Sequence, residues 1–261
     1  MSRTFLAVMH FDGGRYLGWQ RQASGRSVQG EVEAVLARLA GRRVVAHAAG
    51  RTDAGVHARG MGVSFSLAAK WEPEAVRRAM NALLPRDCWI ESVRGAGPGF
   101  HARKSALGRA YRYDIGVDAA CMSPFRRPYE WALGRPLDVA RMRSAAAQLP
   151  GEHDFRAFAV KGEPKPHYRC TLREAEWRDR PAGQGVAFHV AADRFLHHMV
   201  RMLVGTMVDI GLDRRPVEDM TALLARQDNA DTSPPAPPEG LYFVSASYPA
   251  EAFVDHTGDA A

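Results

Sequence analysis

The segment AAGRTDAGVHARG, residues 48–60, places a single acid, Asp53, among Gly50, Gly55, Gly60, Arg51, Arg59 and His57. Glycines let a backbone take positive φ angles and approach a ligand closely. A Thr-Asp-Ala-Gly run is also an ordinary turn in which the Asp side chain bonds its own backbone. The company of Asp53 favours chemistry: two flanking guanidinium groups would hold its carboxylate ionised, a state that suits a nucleophile or an electrostatic stabiliser better than a general acid. No Lys-Ser or Lys-Thr pair follows the glycines, so the loop is not a Walker A phosphate cradle. Ordinary glycoside hydrolysis generally pairs two carboxyl groups at a defined separation. Asp53 has no second acid nearby, and Asp12 in FDGG and Asp154 in GEHDF sit in turn-like contexts that read as structural.

Two further stretches carry residues fit for a site. ALGRAYRYDI, residues 106–115, interleaves Arg109, Tyr111, Arg112 and Tyr113 on an expected strand, with both tyrosines on one face and Arg112 on the other. It reads either as a half-buried strand or as a stacking platform for a base beside phosphate-gripping guanidinium groups. Phenol titrates near 10, so stacking suits Tyr111 better than unaided proton abstraction. DRFLHHMVRMLVGTMVDIG, residues 193–211, carries Leu196, Met199, Val200, Leu203, Val204 and Met207 as a core stripe, with Arg201 inside it. A buried arginine needs an anionic partner, and Asp53 is the candidate. His197 and His198 are adjacent, without the i, i+4 spacing or the glutamate of a zinc-protease helix, so no metal site is expected.

The elements that must present these residues follow from periodicity. Residues 4–11 read as a strand, Ser27 caps a helix that ends at Gly41, residues 43–49 and 61–67 read as strands, Pro73 opens a helix stopped by Pro85, and 88–93 completes a βαββαβ order. After RGAGPGFHARK the order recurs: a strand at 106–116, a helix near 138–149, strands at 171–178 and 185–192, helices at 194–210 and 217–226, and a last strand, LYFVSASYP, after the connector DTSPPAPPEG. The expected fold is therefore α+β: two ferredoxin-like or RRM-like halves with antiparallel sheets, residues 1–104 carrying the acid loop and 105–261 completing a cleft between the sheets.

Composition agrees with a soluble globular chain of 261 residues, 46% hydrophobic and 25% charged. No apolar run reaches the roughly 20 residues of a membrane span, and Asp12 interrupts the only apolar stretch at the N-terminus, so a cytoplasmic protein with no membrane partner is expected. Cys88, Cys121 and Cys170 are odd in number and outside any C-x-x-C pattern, which reads as buried free thiols. The net charge of +6 permits a polyanionic partner, and only four of the 35 basic residues are lysine.

With these residues in view the chain resembles the bacterial tRNA pseudouridine synthase A family over most of its length. The resemblance is carried by YLGWQRQ with SVQGEVE, GRTDAGVHA, FHARKSALGRAYRY, SPFRRPYEW, GEHDFRAF, FLHHMVRMLVGTMVDIG and APPEGLYFVSASYP, in the family's order, and GRTDAGVHA is the most specific. Mild departures include His198, GEHDF and a short tail after Pro249. The resemblance implies that Asp53 is the essential catalytic residue, with Arg51, Tyr111 and Arg201 in the active site. His57, Arg59, Arg109, Arg112 and Arg21 are then the expected RNA contacts, together with Tyr111. It also implies a homodimer without metal or cofactor that isomerises uridine at positions 38, 39 and 40 of the tRNA anticodon arm. Two rival readings are a non-catalytic tRNA-binding or chaperone module of the same fold, which leaves GRTDAGVHA without a role, and an N-glycosidase, which would release free uracil.

Overall fold

Phe5, Ala7, Met9 and Phe11 recur on one face of the first strand, β1 (Ser2–Phe11), in a computed structural model that describes residues 2–160 and 167–254. The chain divides into two units, Met1–Leu107 with Phe243–Ala261, and Gly108–Tyr242. Both are mixed α+β with mostly antiparallel strand pairing.

In the first unit, β1 is followed by α1 (Val28–Ala40), β2 (His47–Ala48), β3 (His57–Ala68), α2 (Pro73–Leu83) and β4 (Cys88–Ala96). The Ser27 hydroxyl caps α1 by accepting from the Gly30 amide, and Gly41 ends it at φ +66°. The strand order is β4-β1-β3-β2, every neighbour antiparallel. Phe5 stacks on Phe65 across β1 and β3, while Val28, Val32 and Leu36 of α1 and Val76 and Met80 of α2 are buried. The expected strand over 43–49 shrinks to His47–Ala48, because the Ala46 amide donates to the buried Glu33 carboxylate at 3.2 Å instead of to β3.

The second unit holds β5 (Gly108–Gly116), β6 (Trp131–Ala132), α3 (Val139–Ala146), β7 (Gly151–Asp154), β8 (Arg169–Asp179), β9 (Gly185–Ala192), α4 (Met199–Gly211) and α5 (Asp219–Leu224). Its strand order is β5-β9-β8-β7, all antiparallel, with β6 running parallel to the end of β5. β6 and β7 were not expected from sequence; both are too short to show a period. Eleven residues of α4 are buried, so the expected stripe is a helix covered nearly all round. α3 packs on it, and Gly205 admits the Pro234 carbonyl, which lies 2.1 Å from where a Cβ would stand. The expected helix start at 194 moves to 199, because Asp193–His198 form a corner. The Asp193 carboxylate accepts from the Thr171 and Arg194 amides, and His198 sits at φ +62°.

The last strand, β10 (Leu241–Ser247), belongs to the first unit from Phe243 onward and lies beside β3. The first unit thus leaves off at Leu107 and takes the chain up again at Phe243. Gly60 of β3 makes this return possible: the Val244 carbonyl lies 2.1 Å from where a Cβ would stand, and the Leu107 amide donates to the Ser247 carbonyl at 2.9 Å. All three cysteines are buried free thiols, as expected from their spacing.

Asn81 joins α2 to β4 by two bonds to one residue, its amide donating to the Ile90 carbonyl at 2.8 Å and its oxygen accepting from the Ile90 amide at 2.7 Å. Asn81→Ala is expected to destabilise the fold by about 1–3 kcal/mol, since it strands two backbone groups. The check is the urea midpoint at constant slope.

Candidate active site

Asp53 opens a tight turn whose last residue, Val56, donates its amide to the Asp53 carbonyl at 3.2 Å, with Gly55 at φ +79°. The turn is pressed against residues 13–19. The Trp19 amide donates to the Thr52 carbonyl at 3.1 Å and the Gly55 amide to the Tyr16 carbonyl at 3.3 Å. A Cβ at Gly13 would stand 2.0 Å from the Val56 carbonyl oxygen, and one at Gly18, whose φ is +95°, would stand 2.4 Å from that of Thr52. The acid is thus carried on backbone that touches backbone, with no side chain between. Asp53 itself is half-buried and Arg51 beside it is exposed.

The segment that receives the turn is itself anchored. Tyr16 donates its hydroxyl to Asp87 at 2.7 Å and lies 3.2 Å from the Cys88 sulfur, while Arg26 covers the tyrosine ring at 4.3 Å and grips Asp87 with two bonds of 2.6 and 3.1 Å. Burial, then the hydrogen bond to Asp87, pushes the Tyr16 phenol far above its ordinary range. Burial also raises the Cys88 thiol to about 12, so it is no nucleophile at neutral pH. Burial works to raise the Asp87 pKa, but bonds from Arg26 and Tyr16 outweigh it and hold the carboxyl below its usual value. This support was not recognised in the sequence as part of a site. YLGWQRQ stands in the sequence only as a block of the family resemblance, and the adjacency of two glycine-bearing segments in space reveals its task.

The other residues singled out in this unit divide by exposure. His57 is 2% exposed; its Nδ1 accepts from the Gly13 amide at 3.0 Å. Asp12 stands 3.2 Å from the same nitrogen, but an atom whose lone pair takes an amide proton cannot also donate, so the neutral, Nε2-protonated ring fits. His57 is therefore a brace under the turn and not a surface contact for RNA. Arg59 is exposed on β3. Arg21 is exposed and donates to the buried Glu33 at 3.3 Å. Arg51, expected to hold Asp53 ionised, makes no hydrogen bond or ion pair among the described residues, which leaves its guanidinium available to a ligand.

In the second unit, β5 presents Tyr111 half-buried and edge-on to Phe195, ring centres 5.0 Å apart. Tyr113, on the same face, is wholly buried. Its hydroxyl donates to the Pro237 carbonyl at 2.7 Å and its ring fills the space left open by Gly240. Only one of the two tyrosines can therefore serve as a platform. Arg112 on the opposite face donates to the buried Asp114 at 2.6 Å, and Arg109 donates to the Asp193 carbonyl at 2.9 Å. Arg201, half-buried on α4, donates from Nε to the Ala236 carbonyl at 2.7 Å, while its own carbonyl accepts from the Ala236 amide at 2.9 Å. The proline-rich connector, an irregular linker in the sequence, thus positions this guanidinium.

Two outcomes follow from the anchoring. Gly18→Ala is expected to lose most of whatever activity the acid turn supports and to destabilise by about 2 kcal/mol or more, combining positive-φ strain with a backbone clash. Turnover and thermal unfolding measured on one preparation check it. Asp87→Asn is expected to lower stability at pH 7. Because the folded Asp87 pKa lies below its unfolded value, its contribution is present above the unfolded pKa and vanishes as pH falls through the folded one. The gap between parent and variant should therefore close on acidification, as read from urea unfolding at stepped pH.

Comparison with known proteins supplies the family. The profile of a family described as tRNA pseudouridine synthase matches residues 7–103 and 145–249. A tRNA pseudouridine synthase A of Moorella thermoacetica is 43% identical over 243 residues, covering 92% of this chain and 98% of its own. That of Thermus thermophilus is 42% identical and covers 95% and 98%, and that of Myxococcus xanthus 38%, covering 92% and 90%. A profile match over most of the chain and relatives this similar over nearly their whole length place it: the chain belongs to the tRNA pseudouridine synthase family.

Proposed function

We propose that this chain isomerises uridine to pseudouridine at positions 38, 39 and 40 of the tRNA anticodon arm, with Asp53 as the catalytic carboxylate. The observation that carries the reading is the acid turn. A half-buried carboxylate is presented on backbone clamped to Gly13–Trp19, with an exposed guanidinium two residues before it, in a chain of this family. The bond from N1 of the uracil to C1′ breaks, the base turns, C5 bonds to C1′, the C5 proton leaves and N1 is reprotonated, so no atom is gained or lost. An ionised acid near the sugar serves this reaction either by adding to C1′ or by assisting elimination. A stem uridine must leave its helix to reach such an acid, and Arg51, exposed at the turn, suits the place the base vacates.

Tyr111 and Arg201 are assigned to the same reaction, Tyr111 against the uracil and Arg201 as the cation that favours the ionised acid. The sheet orders support a fold of two ferredoxin-like halves. β4-β1-β3-β2 is the split βαββαβ order, and β5-β9-β8 repeats its three strands beside α3 and α4. A cytoplasmic homodimer acting on tRNA completes the proposal, and no helix among the described residues is long and apolar enough to cross a membrane.

Asp53→Asn is expected to cut pseudouridine formation in unmodified tRNA about a thousandfold or more while tRNA binding persists. Full activity of that variant would end the proposal, release of free uracil would replace it with an N-glycosidase, and binding without turnover in the parent would leave a tRNA-binding module. Tyr111→Phe should retain more activity than Tyr111→Ala if stacking is its task. Arg201→Gln should lower activity or stability, and full activity with a stable fold would remove Arg201 from the assignment.

A further inference from the structure

Where Arg42–Val45 fail to pair with β3, the first unit keeps a surface pocket of about 310 Å³, lined by Arg42, Arg43, His47, Ser64, Ser66 and Phe100 among others. Arg42 and Arg43 are exposed, and neither makes a hydrogen bond or ion pair among the described residues. His47 stacks on His101 with ring centres 4.3 Å apart. The His101 Nδ1 accepts from the Arg103 and Lys104 amides at 3.1 and 3.4 Å, which leaves its Nε2–H free to donate. Burial, then the positive surroundings of His47, Lys104 and Arg103, lower the His101 pKa.

Among the described residues no carboxylate lines this pocket. Glu33, which receives the Ala46 amide, is committed to Gln29 and Arg21. Guanidinium groups gathered with no counter-charge raise the local potential and favour an anion with several acceptor oxygens. The pocket lies seven to nine residues along β3 from His57, where the acid loop enters the strand. At about 3.3 Å per residue that is roughly 23–30 Å. This is too far for the phosphates that flank a nucleotide reacting at Asp53.

We propose that this pocket is a phosphate subsite that takes a phosphodiester of the RNA substrate remote from the reacting uridine. It rests on the reading of the chain as an RNA-modifying enzyme. Arg42 and Arg43 supply the charge, and His47, Ser64 and Ser66 supply further hydrogen-bonding groups. Its task is to hold the RNA and not to act on the bond, so it governs affinity and leaves the chemical step alone.

The test is the double variant R42A/R43A assayed with full-length tRNA beside the parent, with R42K/R43K as the charge-preserving control. The expected result is a KM and Kd raised about tenfold with kcat and Tm unchanged. The plot of log affinity against log salt should become shallower by about one unit per arginine, and the lysine pair should restore most of the loss. Equal Kd and equal salt slope in parent and double variant overturn the proposal, as does a fall in kcat with Kd unchanged. Titration with inorganic phosphate separates the sources: if phosphate raises the Tm of the parent and not of the double variant while tRNA affinity is the same in both, the pocket serves a free anion and the RNA assignment falls. A parent that forms no pseudouridine would instead overturn the function proposed above, whatever the double variant does.

Discussion

The acid turn exists because two glycines, Gly13 and Gly18, let one stretch of backbone lie directly on another. With the Val56 and Thr52 carbonyls at 2.0 and 2.4 Å from where side chains would begin, neither position accepts even a methyl group without movement of the turn. The same contact sets the first helix. The Gly18 and Trp19 carbonyls accept from the Val28 and Gln29 amides, so two amides of the first turn that have no partner within a helix are satisfied by the segment that also carries the turn, and the cap Ser27 takes that of Gly30. Register therefore passes from the turn to α1, and through Tyr16, Asp87 and Arg26 to the start of β4.

The second unit solves a related problem differently. α4 is buried nearly all round, yet Arg201 lies within it, and a guanidinium in such surroundings must be held by acceptors. The Ala236 carbonyl provides one, and the reciprocal bond from the Ala236 amide fixes the connector to the helix at the same residue. Gly205 brings the connector close at Pro234, and the Tyr113 hydroxyl ties down the Pro237 carbonyl. Prolines suit such a strap because they hold an extended path with few amides to satisfy.

Much of this was legible in the sequence where a local rule coincides with the global fold. Ser27 and Gly41 bound a helix by capping chemistry alone, and Pro73 marks the next, so both helices of the first unit fall where periodicity puts them. The misjudged elements are those decided by distant partners. Residues 43–46 carry strand-forming valines, but Glu33 takes the Ala46 amide. Residues 194–198 continue the apolar period of α4, but the Asp193 side chain and the left-handed His198 turn the chain first. In the site, residue type marked Asp53, Arg51 and Tyr111 as candidates, whereas the inward place of His57 and the burial of Tyr113 depend on glycines 44 and 127 residues away in the chain.

The charge balance gains meaning once each cation is given its partner. Arg26 and Arg112 each answer a carboxylate, and Arg126 and Arg180 flank the buried Glu130. Such groups hold the fold and contribute little to an external field, because their charge is neutralised within a few ångströms. Arg42, Arg43 and Arg51 have no such partner among the described residues. A net charge of +6 is thus a small remainder of many internal pairs, and the part available to an anion includes these three exposed arginines of the first unit. That distribution suits recognition of a structured RNA by its backbone and shape, where position along the phosphate path matters more than the sum of charges.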